Sequence, residues 1–431
     1  MPIWIAKITS LASPSILAFV FSCVIPGLCF AAAGDLDTTF NGTGKVVMSF
    51  SADIDAIDAL ALQTDGKIIA AGRQLVLSPQ SGSFVIVRFN PNGSVDTSFG
   101  LNGVVRSDFG YQFASPYAIA LQPDGKFIVA GSGTRFLGAF DSQAIIARYL
   151  SDGTLDKTFH HDGFIEEFYG LSGTVRSVVI QPDGKIVVAG TSAGDTFAIR
   201  YNSDGTRDRR FGHGGKAILP FSADGDGART VKLRPDAKLV ILGAYAAPLD
   251  AVFMLRVQAH GKIDTSFDAD GKQTISFGSG RNFAFDCEIQ PDGKLVIGGH
   301  YGKGESSPLA MTIARLNQNG SFDDTFDGDG KVVIDPAGLQ EALFDIAIQA
   351  DGKIVMGGSV RAGQGFNDNF LLRRRNPDGS PDLSFGQAGR VQTNMTASSN
   401  QIRALLIQPD GKIVAGGSAA NDFALARYLG Q

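Results

Sequence analysis

Two short signatures recur seven times each along this chain, and their spacing limits the fold more than any other feature. The first is Gln/Arg-x-Asp-Gly/Ala-Lys, with aspartates at Asp65, Asp124, Asp183, Asp236, Asp292, Asp351 and Asp410. The second is Asp-x-x-Phe with a glycine seven positions after its aspartate, anchored at Asp37, Asp96, Asp156, Asp208, Asp264, Asp323 and Asp382. Both advance by 52 to 60 residues per step and share their irregularities, so one unit of roughly 57 residues runs through the sequence. A length of 431 residues alone would suggest about three domains; the repeat makes it one.

Four strands are expected in each unit. In Ile57–Phe109 they are Ile57–Gln63, Lys67–Gly72, Phe84–Asn90 and Val104–Phe109. Thr64-Asp-Gly66 joins the first two, with Pro in place of Thr in most copies, and this is hairpin chemistry: Pro presets φ and Gly supplies a positive φ. No segment keeps a 3.6-residue period, so helices should be rare. Return strands such as Lys185–Gly190 are unbroken apolar runs, which calls for burial on both faces. Small sheets stacked radially provide that burial.

The ends of the pattern call for a ring. Arg427-Tyr-Leu-Gly-Gln431 followed by Gly34-Asp-Leu-Asp37 copies the internal Arg148-Tyr-Leu-Ser-Asp-Gly-Thr-Leu-Asp156. The expected fold is therefore an all-β, seven-bladed β-propeller with four-stranded blades. It closes when the N-terminal strand (Lys45–Phe50) pairs with the three C-terminal strands.

Residues 1–33 differ from the rest. Lys7 is their only charge, an apolar run covers Ile16–Val24, and Ala31-Ala32-Ala33 offers small residues for cleavage. These are the marks of a signal peptide, with an apolar core short of the roughly 20 residues that span a bilayer. Residues 34–431 are then the propeller, secreted or periplasmic, with no membrane attachment after cleavage. Removal of the leader takes Trp4, Cys23 and Cys29, leaving Cys287 alone and no intrachain disulfide. Cys287 falls where other copies have Leu60, Ile119 and Val178, a core position. The net charge of −5 becomes −6, and with no basic stripe a nucleic-acid partner is not expected.

The unit Gln-Pro-Asp-Gly-Lys-Ile-Val-Val-Ala-Gly, followed by Arg-Tyr and Asp-x-x-Phe-Gly, resembles the delta-60 repeat of secreted bacterial proteins. Arg234-Pro-Asp236-Ala-Lys in the fourth copy departs most from it. The resemblance implies bacterial secretion and a propeller, and it carries no catalytic residues. Other strand–Asp-Gly–strand propellers, including NHL-type ones, are similar, which implies that the strand before Asp-Gly-Lys is innermost.

Antiparallel order puts the Asp-Gly-Lys and Asp-x-x-Phe turns on one face and the connections of variable length on the other. Loops on a rigid scaffold carry binding, so the variable face is the expected site. Its candidates are Arg73, Arg135, Asp195, Tyr245, His300, Tyr301, Arg361 and Asp422. The seven arginines from Arg88 to Arg427 are expected to lock the Asp-x-x-Phe turns, with Phe40 and its equivalents as plugs between blades.

Chemistry is thinly signalled. Asp268-Ala-Asp270 and Asp327-Gly-Asp329 resemble part of a calcium loop but lack its remaining carboxylates, and Asp224-Gly-Asp226 is weaker still. No cofactor is expected beyond that faint calcium signal. Gly190-Thr-Ser192-Ala-Gly194 matches a hydrolase elbow in sequence, but lies between two strands. The histidines His160, His161, His213, His260 and His300 are scattered, without metal-ligand spacing. The expectation is a monomeric, non-catalytic binding scaffold for an unidentified protein or surface ligand. The alternative is a calcium-dependent propeller hydrolase or lactonase, for which only Asp286, Asp345, Asp53, Asp55 and His300 could supply a channel-mouth site. A glycan platform is disfavoured by the loss of Trp4, leaving Tyr245 and Tyr301.

Overall fold

The structure is a computed structural model that describes residues 31–135, 142–168, 173–222, 225–245, 251–304, 308–334, 338–361 and 367–431. Most of the expected leader (residues 1–30) and the calcium candidate Asp224 lie outside the described residues. Twenty-eight strands and no helix are seen among the described residues. They form seven four-stranded antiparallel sheets, each a meander from the axis outward, in a seven-bladed propeller.

Six sheets use four consecutive strands. The seventh combines Asn400–Ile407, Ile413–Ala419 and Asp422–Tyr428 with the first strand, Lys45–Met48. The closing ladder pairs Lys45 with Ala426 and Met48 with Phe423. Phe50 packs edge-on against Phe423, with ring centroids 4.9 Å apart. The ring thus ends as the repeat phase requires.

The core is a set of seven clusters, each shared by two adjacent blades. One joins Ile128 and Ile146 of the second blade to Val188 and Ile199 of the third. Another joins Val414 and Leu425 of the closing blade to Ile57, Ile68 and Val85 of the first. Cys287 is fully buried in such a cluster, and burial pushes its thiol up well above the usual range.

The repeated polar residues lock the ring. In every blade the arginine pairs with the Asp-x-x-Phe aspartate at 2.6–2.9 Å. Its Nη1 donates to a turn carbonyl of the next blade, as from Arg88 to Ser151 and from Arg427 to Pro91. The guanidinium lies over the phenylalanine three residues beyond the aspartate, as with Arg427 and Phe40 (4.6 Å). That ring fills the space beneath the next blade's turn: a Cβ on Gly93 would lie 2.8 Å from Phe40. In the fourth copy, Ala237 takes the glycine's place in the first turn at φ +62°, a conformation that costs a non-glycine residue.

The variable face is built more from strands than the sequence suggested. Arg73, Tyr245, His300, Tyr301 and Arg361 were expected on loops, and all lie within second strands. Asp195 and Asp422 open third strands, and Arg135 follows directly after a second strand. Pairing persists because the turns can be very short: Ala193-Gly194 and Ala420-Asn421 have positive φ at both positions, as tight hairpins require. The first of these turns contains the Gly-x-Ser-x-Gly match, so no strand-to-helix elbow exists there.

Candidate ligand site in the axial channel

One glycine inside the second strand of every blade determines what faces the axis. At Gly190 an added Cβ would lie 1.8 Å from the carbonyl oxygen of Thr174, so the inner strand backs directly onto it. The same approach occurs at Gly72, Gly131, Gly243, Gly299, Gly358 and Gly417, at 1.8–2.4 Å. One residue further on, every inner strand bulges, with its pairing register shifted by one. A bulge re-aims a side chain. The seven bulge residues are Asp58, Tyr117, Arg176, Arg229, Phe285, Phe344 and Arg403, and all line one axial cavity of about 650 Å³. All seven blades contribute to its wall, which reaches Pro291, Gln349 and Ala350 at the Asp-Gly-Lys turns.

One arc of this cavity is cationic. Asp58 is buried between Arg403 at 3.2 Å and Arg73 at 3.5 Å. Burial raises the Asp58 carboxyl, and the two guanidiniums pull against that rise. Arg176 lies 4.2 Å from the Tyr117 ring centroid and Arg229 lies 5.5 Å from that of Phe285. Neither has a hydrogen bond or ion pair among the described residues. Burial, then the neighbouring Arg176 charge, lowers Arg229 below the usual guanidinium range.

The adjoining arc is acidic. Lys232 Nζ lies 2.7 Å from Glu288 and 3.3 Å from Asp286. Burial alone would lower Lys232, but these carboxylates outweigh it and hold the ammonium charged. Asp345 accepts the Leu405 amide at 2.6 Å and the Ile346 amide at 3.0 Å. Burial, and then the charge and hydrogen bond of Asp286, push the Asp345 carboxyl well above the usual carboxylate range.

Of the sequence candidates, Asp286 and Asp345 line the cavity and Arg73 supports it through Asp58. His300 does not line it. Its ring is buried among Phe283, Phe285 and Phe344 (centroids 4.9, 5.0 and 6.2 Å), with Nδ1 3.4 Å from the Leu343 carbonyl. Asp55 is a loop cap, accepting the Phe50 and Ser51 amides at 2.6 and 2.8 Å. Asp53 accepts the Leu77 amide at 2.9 Å. Asp226 caps its loop as Asp55 does, through Phe221 and Ser222.

The remaining candidates sit apart around the rim. Arg361 is clasped by Asp368 at 2.6 and 3.0 Å. Arg135 reaches Glu166 at 3.2 Å, and Tyr245 stacks on Phe221 at 5.4 Å. Tyr301 is buried beside Gly278. Asp195 and Asp422 face Ser192 and Ala419 across their hairpins. In the suggested calcium loops, Asp268 and Asp327 have φ near +50° and donate their amides to the next blade, at Asn319 and Asp378. Asp270 and Asp329 cap the Lys272 and Lys331 amides. Among the described residues no group of three His, Cys, Asp or Glu side chains is arranged to hold a metal ion.

Comparison with known proteins agrees with this architecture. The sequence family described as "Domain of unknown function (DUF5122) beta-propeller" matches residues 63–99, 122–159, 181–211, 290–326, 349–385 and 408–430. This chain is built from a propeller repeat. The unmatched copy is the fourth, where Ala237 replaces glycine. No curated protein matches the sequence. Among solved structures, the propeller is similar to a catalytically inactive virginiamycin B lyase from Staphylococcus aureus with quinupristin. That match has 11% identity and a TM-score of 0.52, and covers 89% of this chain and 99% of that one. A streptogramin B lyase is similar at 12% identity and TM-score 0.52, covering 88% and 96%. At such identities the likeness is one of fold.

Proposed function

We propose that this propeller is a secreted, non-catalytic binding protein that receives a small ligand in its axial cavity. One observation carries the reading. The latch positions repeat in all seven blades, whereas the bulge position carries Asp, Tyr, Arg, Arg, Phe, Phe and Arg in turn. A frame kept in every blade around an axis whose lining differs from blade to blade is what a shaped receptor needs. The leader-like residues 1–33 support export.

A second reading is favoured by Asp345, a buried carboxyl raised above its usual range beside Asp286 and Lys232: a carboxyl tuned by burial next to another charged group can serve in acid–base chemistry. Both readings are tested with Ser177→Trp, which fills the cavity from its wall. Ligand-observed NMR on a metabolite mixture should show compounds bound by the wild type and released by the variant. Equal binding by both would overturn the cavity reading. Bound compounds recovered unchanged after long incubation support a receptor, and conversion abolished by Asp345→Asn supports the acid–base reading.

A further inference from the structure

We infer that the ligand of the axial cavity is a small organic anion whose single acidic group is held by Arg176 and Arg229. This inference rests on the cavity reading above and specifies its chemistry. Elsewhere in the chain, the seven latch arginines each have a carboxylate, a carbonyl and an aromatic ring. Among the described residues Arg176 and Arg229 have the ring but no hydrogen bond or ion pair, and the Asp58 charge reaches Arg176 only after Arg73 and Arg403. They come from adjacent blades, lie at the same level of the channel and repel each other. Two half-buried like charges without counterions cost stability, and an incoming anion removes that cost.

The surroundings narrow the class. Two planar donors suit a carboxylate, sulfonate, sulfate or phosphate ester. A space of about 650 Å³ exceeds any bare inorganic anion, and Leu60, Phe344 and Leu405 provide apolar wall for a carbon skeleton. Asp58 does not neutralise the arc, because Arg73 and Arg403 already share its one charge. On the blade next to Arg229, Asp286 and Glu288 place two carboxylates against the one Lys232 ammonium and so disfavour a second negative group. One acidic end and one neutral or cationic end therefore fit best.

Calorimetry and thermal shift on the mature chain test this with benzoate, benzenesulfonate and phenyl phosphate, alongside sodium sulfate, benzamide and benzamidine. The organic anions are expected to bind and to weaken at least about tenfold in Arg176→Gln/Arg229→Gln, a loss of about 1.4 kcal/mol. The Lys/Lys variant keeps the charge and should retain part of the affinity, which separates recognition from misfolding. Sulfate matching benzenesulfonate, benzamide matching benzoate, or no organic anion binding at millimolar concentration would each overturn the inference. Anions bound equally by wild type and the Gln variant, yet excluded by Ser177→Trp, would sink the arginine assignment and leave the cavity reading standing. Anions bound equally by Ser177→Trp would remove both.

Discussion

Arg374 donates from Nε to Asp382 at 2.7 Å, with its guanidinium 4.4 Å from the Phe385 ring centroid and its Nη1 bonded to the Gly430 carbonyl of the next blade. One side chain thereby joins a turn, a plug and a neighbouring blade, while only 1% exposed. The contact recurs in all seven blades, so the closure of the ring is a cycle of near-identical polar locks laid over the apolar clusters.

Removing one carboxylate from that cycle should be costly. Asp382→Ala strands a buried guanidinium and is expected to lower unfolding stability by about 3–5 kcal/mol. Lys353 reaches the same carboxylate at 3.3 Å from a partly solvated position, and Lys353→Met should cost less than about 1 kcal/mol. Urea unfolding distinguishes them; equal losses would contradict the lock.

His300 should make the protein acid-sensitive. Burial lowers its pKa from 6.5 to about 4, against the weaker upward pull of the Leu343 carbonyl. Its folded value lies below its unfolded one, so its stabilising contribution is whole above pH 6.5 and lost as pH falls towards 4. The loss amounts to about 3 kcal/mol. His300→Phe should flatten the fall in Tm over that range, and an unchanged profile would refute the assignment.

Asp345 acts with the opposite slope. Its folded pKa is raised above the ordinary 3.8, so stability is whole below that value and declines as pH climbs towards the folded value. Asp345→Asn keeps an acceptor for the Leu405 amide and removes the titration. The melting temperature of the variant relative to wild type should rise steadily from pH 5 to pH 8. A constant offset would show that no proton is held there.

Gly190→Ala tests the bulge. Its Cβ would meet the Thr174 carbonyl at 1.8 Å, so the inner strand must move, at an expected cost of about 2–4 kcal/mol. Arg176 then loses its place over Tyr117. Calorimetry at a temperature where the variant remains folded should show weaker binding of organic anions than in wild type.

The frame was legible in the sequence because it is repeated. Asp-Gly/Ala turns, the Arg–Asp locks and the phenylalanine plugs each show as seven matched signals, and the split closing blade shows where the two ends of the pattern join. The site was half-hidden because it depends on register. Asp286 and Asp345 stood out as carboxylates in apolar strands, but the direction of Arg176, Arg229 and Arg403 changes at a bulge that no residue at those positions announces. The glycine across the ladder announces it instead: Gly190, Gly243 and Gly417 interrupt strand interiors, where glycine marks a close backbone approach. Variable loop length drew attention to the rim, although Arg361 and Arg135 are engaged there by Asp368 and Glu166.

Because a glycine in the neighbouring strand stands against each bulge, the backbone there keeps its path whichever side chain points to the axis. Positions 58, 117, 176, 229, 285, 344 and 403 therefore form a natural combinatorial library, with one site per blade and all seven opening on the same chamber, in which touching pairs such as Asp58 with Arg403 and Arg176 with Tyr117 are exchanged together. Randomising them should yield folded variants with new ligand preferences far more often than randomising the same number of core residues would.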